Sequence, residues 1–161
     1  MPPAQYIKIT KETYVKLGYP PYRWFHAPSE PSFVPVSKPL SESRLGMITT
    51  AGTYLQGQLA YYYQDDTSIR EIPSDASISK IRFSHITENY LVEARQDPNT
   101  VFPLQSLKAL GKEGFIGELA EEYLSCMGGI YSQRRVVDEL IPNLETAVKR
   151  QKLDLLLLVP L

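Results

Sequence analysis

Leu153-Asp154-Leu155-Leu156-Leu157-Leu158-Val159-Pro160-Leu161 forms the last nine residues of the chain, and its reading decides the fold. A run this apolar, bounded by a polar stretch and a proline, reads as a strand of a parallel sheet covered on both faces. In open parallel sheets, ligands sit beyond the carboxyl ends of the strands, on the loops that leave them. No such loop follows Leu161. Either other loops carry the chemistry, or this chain is the front part of something longer.

Upstream of that strand, an amphipathic pattern runs from about Ser132 to Lys152. Val137, Leu140, Ile141, Leu144 and Val148 share one face. Pro142 is expected to kink or restart this helix, and Glu145 and Lys149 form a favourable i, i+4 pair. Before it lies the glycine-containing loop Ser125-Cys126-Met127-Gly128-Gly129, and before that Ile116 to Tyr123, a strand or a short helical turn. Leu104, Leu107 and Leu110 mark one face of a short helix, started by Pro103 and stopped near Gly114. Asp97-Pro98-Asn99-Thr100 is turn chemistry.

The globular pattern begins at Arg44. Leu45 to Thr50 is a first strand that ends in Ala51-Gly52-Thr53, small and hydroxyl residues suited to a loop facing a ligand. Tyr54 to Thr67 is polar and tyrosine-rich and reads as a loop. Ser68 to Ile72 and Lys80 to Ser84 are short alternating strands. Strands alternating with helices indicate an α/β fold. The expectation is a three-layer sandwich with a short, mostly parallel, Rossmann-like sheet over residues 44–161, incomplete at its C-terminus. Residues 1–43 hold eight of the thirteen prolines and read as an extended arm with one short helix within 4–18. Tyr22, Trp24, Phe25 and Phe33 are its expected packing anchors.

The chain has 161 residues, enough for one domain with a real core. A net charge of −1 gives no electrostatic case for nucleic acid or an anionic membrane. Residues 60–125 carry eleven acidic and six basic groups, a modest bias read as a solvated face. One cysteine, Cys126, excludes an internal disulfide framework and a cysteine-cluster metal site. No signal-peptide pattern or membrane-length apolar run is present, so the cytoplasm is the expected compartment.

Four features can carry chemistry. Arg70-Glu71-Ile72-Pro73-Ser74-Asp75-Ala76 places Arg70 and Asp75 about a proline-stiffened turn. The block reads either as an Arg–carboxylate pair holding a strand end or as a grip on a substrate carboxylate or amine. Ser84-His85 ends a strand, where His85 can serve as proton donor or base. Thr49 and Thr50 end the first strand. Gly128-Gly129 can bring backbone N–H groups close to an anion. Cys126 reads as a buried, inert thiol. His26 and His85 are too few and too isolated for a metal centre.

The order of these blocks is more specific than any one of them. Met47-Ile48-Thr49-Thr50-Ala51-Gly52 is followed by Arg70 to Ala76, Ser84-His85 and Asp97-Pro98-Asn99. Val101-Phe102-Pro103, Glu113-Gly114-Phe115-Ile116-Gly117 and Met127-Gly128-Gly129 complete the series. This succession resembles the selenoprotein B family of the glycine, sarcosine, betaine and D-proline reductases, from about Phe33 to Leu161, with the D-proline-type subunit nearest in size. The resemblance implies a nucleophilic selenocysteine, or a cysteine, immediately after the strand ending at Leu161. Selenocysteine is encoded by UGA, so a chain ending at Leu161 is what termination there leaves, and such a chain is expected to be inactive.

The implied reaction is reductive cleavage of the C–N bond α to a carboxylate. The amine is activated by a pyruvoyl group on a partner subunit or by a quaternary nitrogen, and a selenoprotein A-like carrier is a further expected partner. On the matching motifs, Arg70 would bind the carboxylate and His85 would protonate the leaving nitrogen. Thr49, Thr50, Ser84, Asp75, Gly128 and Gly129 would line the site. The chain departs from the family pattern at Tyr123-Leu124, where a His-Tyr pair is expected, and at Cys126, where an aromatic is. Two other readings stand beside this one. One is a non-catalytic domain that binds a partner subunit or a small carboxylate; the other is a racemase- or lyase-like enzyme using His85 and Cys126. Apolar surface left uncovered near the last strand is expected to favour a homodimer or larger assembly.

Overall fold

Arg44–Thr49 (β1) is the centre of the main sheet, and all of its residues from Leu45 onward are buried. In the computed structural model, which describes residues 3–21 and 25–161, three strands run parallel to β1. Glu118–Leu119 (β5) and Glu122–Ser125 (β6) lie along one of its edges, and Leu155–Val159 (β7) lies along the other. The two edges follow from the register, because Thr49 pairs with both Ser125 and Val159. Arg70–Pro73 (β3) extends the β6 side antiparallel. A separate antiparallel pair joins Thr53–Leu55 (β2) to Ile81–Phe83 (β4). The protein is thus mixed α/β with a mostly parallel main sheet. The segment expected to be loop from Tyr54 differs at its start, where Tyr54 and Leu55 belong to β2 and pair with Arg82 and Ile81.

Alternation along β1 sends side chains to two different packing layers. Leu45 and Met47, with Ile72 and Tyr123, meet Leu91 and Ala94 near Val92–Gln96 (α2) and Leu104 and Leu107 of Leu104–Lys112 (α3). The Phe102 ring stands edge-on to Tyr123 in the same cluster, with centroids 6.1 Å apart. On the opposite face Ile48, Leu124 and Cys126 pack under Leu140 and Ala147, flanked by Leu144 and Val148. Each Leu, Ile, Met or Phe side chain among these contributes roughly 1.5–3 kcal/mol when fully buried.

The covering helix is built in three pieces. Gln133–Arg135 (α4) passes through a π-helical turn at Val136–Leu140 into Ile141–Gln151 (α5). Pro142 lacks an N–H and its ring crowds the preceding turn, so the wider turn lies immediately before it. The restart expected at Pro142 takes this form.

The last strand corrects one expectation. β7 was expected to be covered on both faces, yet Leu158 is 64% exposed and Leu156 is 36% exposed. Leu155, Leu157 and Val159 are partly buried against the larger cluster. The reason is position: β7 is an edge strand, and α5 packs over Ile48 and Leu124 without reaching it.

The chain divides after Pro35. The first unit holds Tyr6–Lys16 (α1), an exposed helix inside the expected range. Phe25 and Phe33 are exposed, while Tyr22 and Trp24, the other two expected anchors, lie outside the described residues. Residues 36–43, placed with the arm by sequence, associate with the second unit. Lys38 pairs with Asp154 at 2.7 Å, and the Gly117 N–H donates to the Leu40 carbonyl at 3.0 Å.

Asp154 also accepts the Arg44 backbone N–H at 2.7 Å. That hydrogen bond, then the Lys38 ammonium, holds its carboxyl below the ordinary value. A lowered folded-state pKa contributes stability above the unfolded value and loses it as pH falls through the folded one. Denaturant midpoints measured from about pH 7 down to pH 2 should therefore fall below about pH 4. Asp154→Asn should shallow that acid limb. An unchanged acid limb in the variant would contradict the assignment.

Candidate functional site

The carboxyl ends of β1, β6 and β7 come together at one end of the sheet. Past Thr49, the Thr50 N–H donates to the Val159 carbonyl (3.1 Å), and the Cys126 N–H donates to the Thr49 carbonyl (3.0 Å). The Leu161 N–H then donates to Thr50 Oγ1 at 2.9 Å. The chain beyond β7 is in this way tied to the chain beyond β1. Gly128 lies directly against this junction, where a Cβ would stand 2.9 Å from both the Leu161 and Thr50 carbonyl oxygens. Only a residue without a side chain lets the three segments approach so closely.

The next glycine faces the histidine. A Cβ at Gly129 would run into the Ile86 side chain and stand 3.7 Å from His85 Cε1. His85 reaches this place through Gly52. Gly52 has φ +61°, and its carbonyl accepts the Ser84 N–H at 3.0 Å. Ser84 Oγ donates to the Tyr61 carbonyl at 3.0 Å. Thr50, Ser84, His85, Gly128 and Gly129 are therefore linked through one chain of contacts at the strand ends.

The His85 ring has a defined state. The Thr87 backbone N–H donates to Nδ1 at 3.1 Å, and Thr87 Oγ1 lies 2.6 Å from the same atom. Nε2 is buried and has no hydrogen-bond partner among the described residues. Burial pushes the imidazole pKa below its usual value, partly opposed by Glu88.

Three other expected site residues are placed differently. Thr49 is fully buried, and its hydroxyl donates to the Val101 carbonyl at 2.8 Å, so it braces the core. Arg70 is at the right end of the sheet, opposite Ser125. Its guanidinium donates to the Leu59 carbonyl (2.7 Å), Ser68 Oγ (2.8 Å) and the Ile69 carbonyl (3.0 Å). It also stacks over the Tyr61 ring at 4.3 Å. The expected carboxylate pairing of this block belongs instead to Glu71, which meets Arg150 at 2.7 Å. Asp75 is exposed and follows Pro73, which pairs with Glu122, so it lies at the opposite end of the sheet. Tyr123, at the departure from the family pattern, is wholly buried in the larger core cluster.

Sequence reasoning passed over Tyr61 and Ser125. Ser125 Oγ accepts the Thr53 N–H at 2.8 Å, and the Tyr61 hydroxyl donates to the Ser125 carbonyl at 2.6 Å. Together they tie β2 and the tyrosine-rich loop to the end of β6. The only signal was the tyrosine run itself, which does not say which ring points inward. The far side of that loop is fixed by Arg135, which donates to the Asp65 carbonyl at 2.6 Å and pairs with Glu139 at 3.0 Å.

Cys126 is 2% exposed, and burial pushes its thiol up to about 11. It lies in the apolar cluster under α5, an environment that disfavours the thiolate. As the sole cysteine, it should resist alkylation at mildly alkaline pH in the native protein and react fully once unfolded. Rapid native labelling would contradict this. Among the described residues, no group of three or more His, Cys, Asp or Glu is placed to hold a metal ion. None of their helices is long and apolar enough to cross a membrane.

Comparison with known proteins bears on this site. Over 128 residues the chain is 31% identical to the D-proline reductase subunit gamma of Acetoanaerobium sticklandii. Over that stretch the chain is similar to the reductase subunit. The matched region is 80% of this chain and 52% of the relative, so the chain spans about half the length of the curated protein it matches. No family model and no solved structure matches the chain. The similarity agrees with the D-proline reductase side of the resemblance read from the sequence.

Proposed function

We propose that this chain is the front part of a selenoprotein B-like reductase subunit that cleaves the C–N bond α to a carboxylate, in the glycine, sarcosine, betaine or D-proline class. One observation carries the reading. The backbone leaving β7 is fastened to Thr50 and laid against Gly128, beside Gly129 and His85, at the carboxyl ends of three parallel strands. A residue following Leu161 emerges at the position where such sheets place their ligands. The similarity to a reductase subunit supports the same conclusion. On this reading the finished domain is a three-layer, Rossmann-like sandwich.

The reactive atom is the selenium of a selenocysteine, or the sulfur of a cysteine, immediately downstream of Leu161. Either supplies a nucleophile when ionised, selenium the more readily at neutral pH. The residues present hold it and shape its surroundings: Thr50 anchors the strand exit, Gly128 and Gly129 let the exit of β7 and Ile86 pack closely against their loop, and Ser84 fixes the approach of His85. Activation of the amine belongs to a partner subunit's pyruvoyl group or to a quaternary nitrogen in the substrate. The 161-residue chain alone is accordingly inactive. The test uses the full-length protein with its partner subunit and a dithiol reductant, supplied separately with glycine, sarcosine, betaine and D-proline. Release of amine, or ring opening of D-proline, is expected with at least one of them. No conversion of any would contradict the reading.

The exposed Leu156 and Leu158 at the free edge of the sheet also support self-association of this chain. Light scattering should show a dimer or larger species, and Leu156→Lys with Leu158→Lys should shift it toward monomer. A monomeric parent chain would contradict the expectation.

A further inference from the structure

We propose that Thr87 is a positioning residue that locks His85 as its neutral Nε2–H tautomer, making His85 a hydrogen-bond donor to an oxygen of a small carboxylate. This deepens the reading of the strand ends as the site and rests on it. The family resemblance implied that His85 protonates the leaving nitrogen. The geometry assigns it a different task.

A backbone N–H cannot accept, so the 3.1 Å contact from Thr87 fixes Nδ1 as the acceptor. The hydroxyl of the same residue, 2.6 Å away, reinforces that state by donating to it. A neutral imidazole with Nδ1 accepting carries its proton on Nε2. That N–H is buried and has no partner among the described residues, and the residue as a whole is 5% exposed. A buried donor without an acceptor is costly, which favours a ligand that provides one. Cε1, between the two ring nitrogens, lies on the Gly129 side of the ring, 3.7 Å from where a Cβ would stand, and the Ile86 side chain fills the space between.

A neutral Nε2–H group binds acceptors and polarises them; it does not readily surrender its proton. This is how a neutral histidine can act as an electrophile at a carbonyl or carboxylate oxygen. Arg70, the expected carboxylate grip, is engaged by the carbonyls of Leu59 and Ile69 and by Ser68 Oγ. The carboxylate-binding task therefore falls to His85. Glu88 is the charged group that faces the histidine: its Oε1 lies 3.5 Å from the His85 backbone N, and it is ion-paired with Arg95. The Gly128-Gly129 loop brings no charge.

With only two histidines in the chain, long-range proton–nitrogen NMR across a pH series can read His85 directly, aided by His26→Gln for assignment. The wild type should show a protonated Nε2 and a bare Nδ1. Thr87→Val should raise the protonation midpoint by about half to one pH unit, and Thr87→Ser should restore it. Sodium acetate, used as the carboxylate probe, should move the Nε2–H proton resonance of the wild type. An Nδ1–H tautomer, a midpoint unmoved in Thr87→Val, or an Nε2–H resonance indifferent to acetate would each overturn the proposal. None of these readouts needs turnover. Failure of the full-length protein to cleave an amino acid would thus count against the proposed reaction and not be confused with failure here.

Discussion

Gly52→Ala is expected to destabilise the protein by about 2–5 kcal/mol, as the sum of left-handed backbone strain and overpacking. Gly52 sits at φ +61°, which an L residue with a Cβ adopts only at a cost. An added Cβ would also drive into the Ser84 carbonyl group. Neither problem can be relieved by turning a side chain, because the obstacle is backbone on both sides. The Gly52 carbonyl accepts the Ser84 N–H and its own N–H reaches the Cys126 carbonyl, each at 3.0 Å. Displacing Gly52 would therefore unseat β4's exit, and with it His85. Against a typical total stability of about 5–15 kcal/mol, the loss is a large fraction. The denaturant midpoint should drop accordingly. A change below about 0.5 kcal/mol, the range of an ordinary surface substitution, would show that the Gly52–Ser84 approach does not constrain the fold.

The larger effect is on reaction rate. In the full-length protein, replacing the proposed nucleophile after Leu161 with serine should lower kcat by at least about 10³-fold, given the losses seen when catalytic nucleophiles are removed. Serine preserves size and hydrogen bonding but is not ionised near neutral pH. Denaturant midpoint and circular dichroism should be unchanged, since the residue lies beyond the last hydrogen bond that fastens β7. A cysteine in place of selenocysteine should retain part of the activity, with a pH profile displaced upward toward the ionisation of a thiol. A serine variant as active as the parent would remove the nucleophile from this position.

Much of the fold was legible because long apolar patterns fix an element without help from the rest of the chain. β1 and β7 read directly as strands, and of the face Val137, Leu140, Ile141, Leu144 and Val148, three residues pack on the sheet as a helix while Val137 and Ile141 are exposed. Pro142 announced its break through its missing N–H. What the sequence did not disclose was which strand would be the edge. The run Leu155–Val159 is equally apolar whether one face or two are covered, and only the lateral reach of α5 decides that Leu156 and Leu158 stay exposed. β2 escaped notice because Thr53–Leu55 runs straight into the polar, tyrosine-rich stretch, and its partner β4 lies far along the chain.

The site was legible in its parts and less so in its roles. Thr50, Ser84, His85, Gly128 and Gly129 flank short polar turns after strands, a pattern that sequence can see. Thr49 and Thr50 look alike as letters, but alternation turns Thr49 inward to the Val101 carbonyl and leaves Thr50 to hold Leu161. Arg70 had charged neighbours in sequence, yet its partners are carbonyls and a tyrosine ring brought in by a loop. Thr87 carried no signal, because its importance lies in an angle to a ring two residues away.

The most direct test is the nucleotide sequence of the native message after the Leu161 codon. An in-frame UGA or cysteine codon followed by a long continuing frame is the predicted result. A UAA or UAG at that position, with no frame beyond it, would contradict the account.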